Sequence, residues 1–162
     1  FQLFYFNFFI KQPIYNNLSK ILILGSIPSK KSRELNFYYA NPTNRFWKIL
    51  EIIFKTTLNT QEEKETFLLN SHIALFDVFK SADIIASSDA SVKNYKLNNL
   101  TDILKSSNIK AIFITGKTAY NAFLKHYNLN IPIFYLPSSS SANATFSLEK
   151  LVEHYKIILD FL

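Results

Sequence analysis

The chain has 162 residues, 48% of them hydrophobic and 16% aromatic, and 18 Lys and Arg against 12 Asp and Glu give a formal net charge of +6. This composition suits a packed globular chain with room for one substantial core, and argues against a disordered polymer. With no cysteine present, disulfides, zinc–thiolate sites and iron–sulfur clusters are excluded, while the positive balance favours an anionic partner such as nucleic acid.

The opening "FQLFYFNFFIKQP" carries Gln2 and Asn7 and lacks both a basic start and a small-residue cleavage site. Its apolar run of about ten residues is half what a bilayer span requires, so residues 1–12 read as a terminal segment packed on the core. One domain over 1–162, cytoplasmic and away from membranes, is the expectation. Heavy use of Lys, Asn, Ile and Phe makes any single aromatic less informative.

"KILILGS" predicts a buried parallel strand at residues 20–24 that ends in a Gly-Ser turn. A long loop follows. "NRFWKILEIIF" then sets Phe46, Ile49, Leu50 and Ile53 at helical spacing, with Asn44 placed to cap the first turn. A helix is predicted at 61–69, a strand at "HIALFDVF" (72–79), and a polar loop over "KSADIIASSDASVKNYKLNN". Next come a short helix "LTDILKSS", a strand "KAIFITG", a helix "KTAYNAFLKHY", a strand "IPIFYLP" and a last helix "SLEKLVEHYKIILDFL". Strands alternating with helices predict an α/β fold, a three-layer α/β/α sandwich with a central four-stranded parallel sheet. Ligands in such sheets sit beyond the carboxyl ends of the strands. Those ends carry the loop after Gly25, the region after Asp77, "TGKT" and "LPSSSSANA".

Gly116-Lys117-Thr118 copies the end of a phosphate loop, but Ala111 stands where that motif needs its first glycine, so an NTPase is excluded. A strand-to-helix turn remains, whose amides and Lys117 can hold one phosphate of a polymer, unless it is an ordinary helix start. "SSSSANA" lies between a strand and a helix, where small hydroxyl residues let backbone amides approach a nucleic-acid strand. His72 begins a strand and His126 and His154 lie on helices, so no metal triad is expected. In "NFYYANPTNRFW", Tyr38, Tyr39 and Phe46 either fill the core or present an aromatic face and an amide to a flat base.

Together, "LILGSIPSKKSRELNFYYANPTNRFW" and "LPSSSSANATFSLEKL" resemble the uracil-DNA glycosylase superfamily, and within it the DNA-deoxyinosine (hypoxanthine-DNA) glycosylase group, from Pro13 to the end. "SSDASVKN" is also similar to a segment of that group. The resemblance implies a uracil-DNA glycosylase-like fold and a monomeric repair enzyme without cofactor or metal. Such an enzyme flips a deaminated base out of DNA, foremost hypoxanthine, and hydrolyses its N-glycosidic bond. Excision of uracil or xanthine, or a non-catalytic nucleic-acid-binding module on the same fold, are the alternatives.

Classical members carry Asp or Asn just before the first motif's proline, where this chain has Ile27; the deoxyinosine group shares an apolar residue there. The resemblance therefore implies that catalysis rests on Asn44, that Tyr39 stacks on the flipped base, and that the backbone around Ser26 and Ile27 bonds its edge. Leu136 replaces the histidine that supports a leaving pyrimidine, and Ser141 stands where the group usually has proline. Lys30, Lys31, Arg33 and Lys117, with Ser138, Ser139 and Ser140, are the expected phosphate contacts. Ala142 and Asn143 are expected against the gap that the flipped nucleotide leaves.

Overall fold

The computed structural model describes residues 3–7, 12–85 and 92–162. In chain order the elements are β1 (Leu3–Asn7), β2 (Ile21–Gly25), α1 (Lys30–Leu35), α2 (Phe46–Phe54), α3 (Gln61–Asn70), β3 (Ile73–Asp77), β4 (Phe79–Ile85) and β5 (Lys93–Leu97). They continue with α4 (Thr101–Ser106), β6 (Ala111–Thr115), α5 (Lys117–His126), β7 (Ile133–Leu136), α6 (Leu148–Tyr155) and a closing 3₁₀ turn, Lys156–Phe161.

Four strands form a parallel sheet in the order β3-β2-β6-β7. Successive side chains of a strand point to opposite faces, and each strand here is apolar on both. Ile21, Ile23, Ile73, Leu75, Ala111 and Phe113 join α2, α3 and α6 in one core through Ile49, Leu50, Leu68, Leu151 and Tyr155. Leu22, Leu24, Ala74, Ile112 and Ile114 face the other way, against Ile103 of α4 and Ala119, Ala122 and Phe123 of α5. Helices on both faces make the predicted three layers, because a strand apolar on both sides needs two covers.

The sequence reading missed three things. A second, antiparallel sheet of order β1-β4-β5 occupies much of the expected polar loop and pairs the terminal segment with β4. Phe79 and Ala82 of β4 belong to the α4/α5 core, so the ribbon covers that face as a lid of strands. Within the long first loop, α1 is capped by Ser29, whose hydroxyl accepts from the Ser32 amide, and closed by Asn36 in the left-handed conformation. The last helix tightens into a 3₁₀ turn after Tyr155. Of "SSDASVKN", residues 87–91 lie outside the described part of the structure.

β2 connects forward to β3 on one side, and β3 connects to β6 on the other side of β2. Such a reversal opens a crevice at the carboxyl ends of the central strands. Gly25, Asp77, Thr115 and Leu136 end the four strands there, with Gly25 directly beside Asp77 in register. Among the described residues no helix is long and apolar enough to cross a membrane.

Candidate active site

The N-cap residue of α2 is Arg45, which makes no side-chain cap; Asn44, one residue earlier and not the cap the sequence suggested, instead ties down the first helical amide with its side chain. Its Oδ1 accepts the Phe46 amide at 2.9 Å and the Ser139 hydroxyl at 2.9 Å. A backbone N–H can only donate, so this contact fixes which end of the amide is oxygen. Both lone pairs of that oxygen are engaged. The Nδ2 amino group has no bond among the described residues, leaving Asn44 half-buried with its donor end free.

Ser139 comes from the distant serine loop, and Arg45 draws that loop in. Its Nε donates to Ser139 O, its Nη2 to Ser140 O and Asn143 O, and its Nη1 to Phe146 O. The Arg45 amide also donates to Ser139 O at 3.1 Å. A planar fork of donors matches several carbonyls at once, which a lysine cannot do. At 2% exposure, Ser139 points inward to support Asn44, where a phosphate contact had been expected. Ser138, Ser140 and Asn143 bond within the loop, while Ser141 reaches Thr43 Oγ1 at 3.1 Å. Ala142 is exposed.

Tyr38, Phe46 and Trp47 are core residues, and the Trp47 indole donates to Tyr38 O at 3.0 Å. Tyr39 is different. It is half-buried, its ring stacks on Phe46 at a 3.9 Å centroid distance and 16°, and its hydroxyl lies 3.4 Å from Thr115 Oγ1. Its φ of 50° is a left-handed conformation that bulky residues seldom adopt. Holding it takes on the order of 1–3 kcal/mol of surrounding contacts, a pattern frequent at functional sites. Buried Ser32 of α1 supplies one such contact by accepting the Ala40 amide at 3.0 Å.

Ser26 and Ile27 form the turn after β2. Ile27 packs toward the α4/α5 core, and the Ser26 hydroxyl is enclosed with no hydrogen-bond partner among the described residues. Arg33 turns back to donate to Pro28 O at 2.9 Å, bracing this turn. Lys30 is exposed and 3.8 Å from Glu34, a surface pair of little energetic weight. Lys31 and Lys117 are exposed as well, Lys117 at the start of α5.

Sequence reasoning did not assign Asp77 a role. Its carboxyl ends β3 beside Gly25, and a Cβ placed on that glycine would stand 2.5 Å from Asp77 Oδ1 and 2.8 Å from the Tyr39 hydroxyl. Among the described residues nothing bonds this carboxyl. Desolvation raises its pKa from 3.8 to about 7. Burial likewise raises the Tyr39 phenol, with Asp77 adding to it, so Tyr39 stays neutral. The available signal was a single acidic residue closing an apolar strand, "IALFD", at the ligand end of the sheet.

Comparison with known proteins agrees with this fold. A family model described as the uracil DNA glycosylase superfamily matches residues 12–162. A Methanosarcina acetivorans protein named hypoxanthine DNA glycosylase is 32% identical over 134 residues, covering 80% of this chain and 84% of the other. One of the same name from Methanosarcina barkeri is 34% identical over 138 residues, covering 81% and 85%. The solution NMR structure of a Methanosarcina acetivorans protein, a candidate uracil DNA glycosylase by its name, superposes with a TM-score of 0.75 at 28% identity, over 91% of this chain and 96% of that one.

Proposed function

Because the chain belongs to the uracil DNA glycosylase superfamily, we propose that it removes hypoxanthine from deoxyinosine in DNA by hydrolysing the N-glycosidic bond. The relatives named for that activity support the choice of base. The observation that carries the reading is the fixed amide of Asn44, held at its oxygen by α2 and the serine loop with its amino group free. Breaking the bond from C1′ to N9 builds positive charge on the sugar and negative charge on the base. Preorganised donors aimed at the base stabilise that separation without reorganising as it develops. Asn44 is such a donor. Tyr39, backed by Phe46, serves as a rigid wall for the extruded ring, and the Ser26–Ile27 turn meets its edge.

DNA is the partner. In this reading the exposed Lys30, Lys31 and Lys117, with the half-buried Ser138 and Ser140, meet the phosphates, and Ala142 and Asn143 face the gap that the flipped nucleotide leaves; Arg33 and Ser139 serve them indirectly by holding the loops in shape. Duplexes carrying one deoxyinosine, deoxyuridine or deoxyxanthosine, treated with alkali after incubation, test the reading. Cleavage strongest at deoxyinosine is expected. An Asn44→Ala protein should fold, lose about 1 kcal/mol of stability with the two bonds its oxygen accepts, and lose excision by on the order of 100-fold or more. Full excision by that variant would remove Asn44 from the chemistry.

A further inference from the structure

Asn44 presents only N–H donors, and Ile27 and Leu136 have no ionisable group, so none of these three can deliver a proton to the base or accept one. The Asp77 carboxyl can. It closes β3 at the crevice, in register with Gly25, whose missing side chain leaves it the space it occupies beside the Tyr39 hydroxyl. Tyr38 and Tyr39 are the titratable groups facing it, both neutral and both raised further by its charge. No Lys, Arg or His among the described residues pairs with it. An ionised carboxylate in such surroundings is disfavoured, and the phosphates of bound DNA would disfavour it more.

We propose that Asp77 is the general acid of the reaction, its neutral carboxyl giving a proton to an acceptor atom of the leaving oxopurine. This rests on the glycosylase reading above. As the C1′–N9 bond breaks, its electron pair goes to the base, the Asp77 proton neutralises that base, and hypoxanthine leaves uncharged. A water oxygen bonds C1′, and the proton it sheds returns to the Asp77 carboxylate. One water is consumed, nothing is oxidised or reduced, and the acid is restored. Donation of this kind is worth about 10²–10⁴ in rate, and the raised carboxyl pKa supports it near neutral pH.

The test is single-turnover excision from a deoxyinosine duplex between pH 5 and 9, for the full chain and for Asp77→Asn and Asp77→Ala, with folding checked by circular dichroism. The unaltered protein should lose rate tenfold per pH unit above an apparent pKa near that of Asp77. Asp77→Asn keeps the size and a donor but cannot titrate, so its profile should be slower and flat through that window. Asp77→Ala should be about 100-fold slower at pH 6. The same descending limb in Asp77→Asn overturns the proposal, as does an unaltered rate in Asp77→Ala. A ¹³C titration of the free protein gives a readout independent of activity: an Asp77 carboxyl ionising near pH 4 also overturns it. If the unaltered protein excises no deaminated base while Asp77 does titrate high, the glycosylase reading has failed, and the acid role goes with it.

Discussion

Gly25 shows how little space the site allows a single residue. A methyl on its Cα would meet Asp77 Oδ1 at 2.5 Å and the Tyr39 hydroxyl at 2.8 Å, both shorter than any relaxed contact. Tyr39 cannot swing aside easily, because Phe46 covers its ring and Thr115 holds its hydroxyl. Thr115 in turn donates to Leu24 O at 3.3 Å, which ties the cluster back to β2. Gly25→Ala should therefore displace the Asp77 carboxyl and cost about 1–3 kcal/mol of stability, as overpacking does. Unfolding midpoints and deoxyinosine excision measured together check it: excision should fall more than the stability loss explains. An alanine variant with full excision would show that Asp77 and Tyr39 are not held where this contact requires.

At the scale of elements, the join between α2 and the serine loop decides whether Asn44 is held. Arg45 makes that join through carbonyls at Ser139, Ser140, Asn143 and Phe146, and Tyr155 of α6 adds a bond to Pro137 O at 2.7 Å. Arg45→Met keeps the apolar stem and removes the fork. Loss of these charge-assisted bonds should lower stability by about 2 kcal/mol, roughly 4–8 °C in Tm for a chain of this size. Excision should drop with kcat affected before KM, since Ser139 would no longer fix the amide; unchanged kcat would separate the loop from the chemistry. These joins were not legible in sequence, where a hydroxyl in a serine run gives no sign of facing inward. The four parallel strands were legible because runs such as "ILILG" and "AIFIT" are apolar on both faces. "KSADII" and "KNYKL" were read as loop, since their pairing with one another rather than their own hydrophobicity makes them strands. α1, "KKSREL", has no apolar stripe, and only its Ser29 and Asn36 caps announce it.

For the whole molecule, the net charge of +6 suits a polyanionic substrate, yet the ligand end of the sheet keeps an uncompensated carboxyl. That arrangement is tolerable only while Asp77 is neutral, and folding stability must register it. In the unfolded chain Asp77 titrates near 3.8; in the folded protein it titrates near 7. Between those values the folded state holds a proton that the unfolded state has released, so stability falls as pH rises through the window and levels off above it. Three pH units correspond to about 4 kcal/mol as an upper figure, reduced by whatever water reaches this half-buried residue. Other carboxylates shift with pH as well, so the quantity to measure is the difference in unfolding free energy between Asp77→Asn and the unaltered chain, from urea titrations at pH 4, 5.5, 7 and 8. The difference should grow by roughly 2–4 kcal/mol in favour of the amide from the lowest to the highest pH. A difference that stays constant with pH would mean that Asp77 is ionised in the fold at no cost, and that the site carries a fixed negative charge instead of a proton to give.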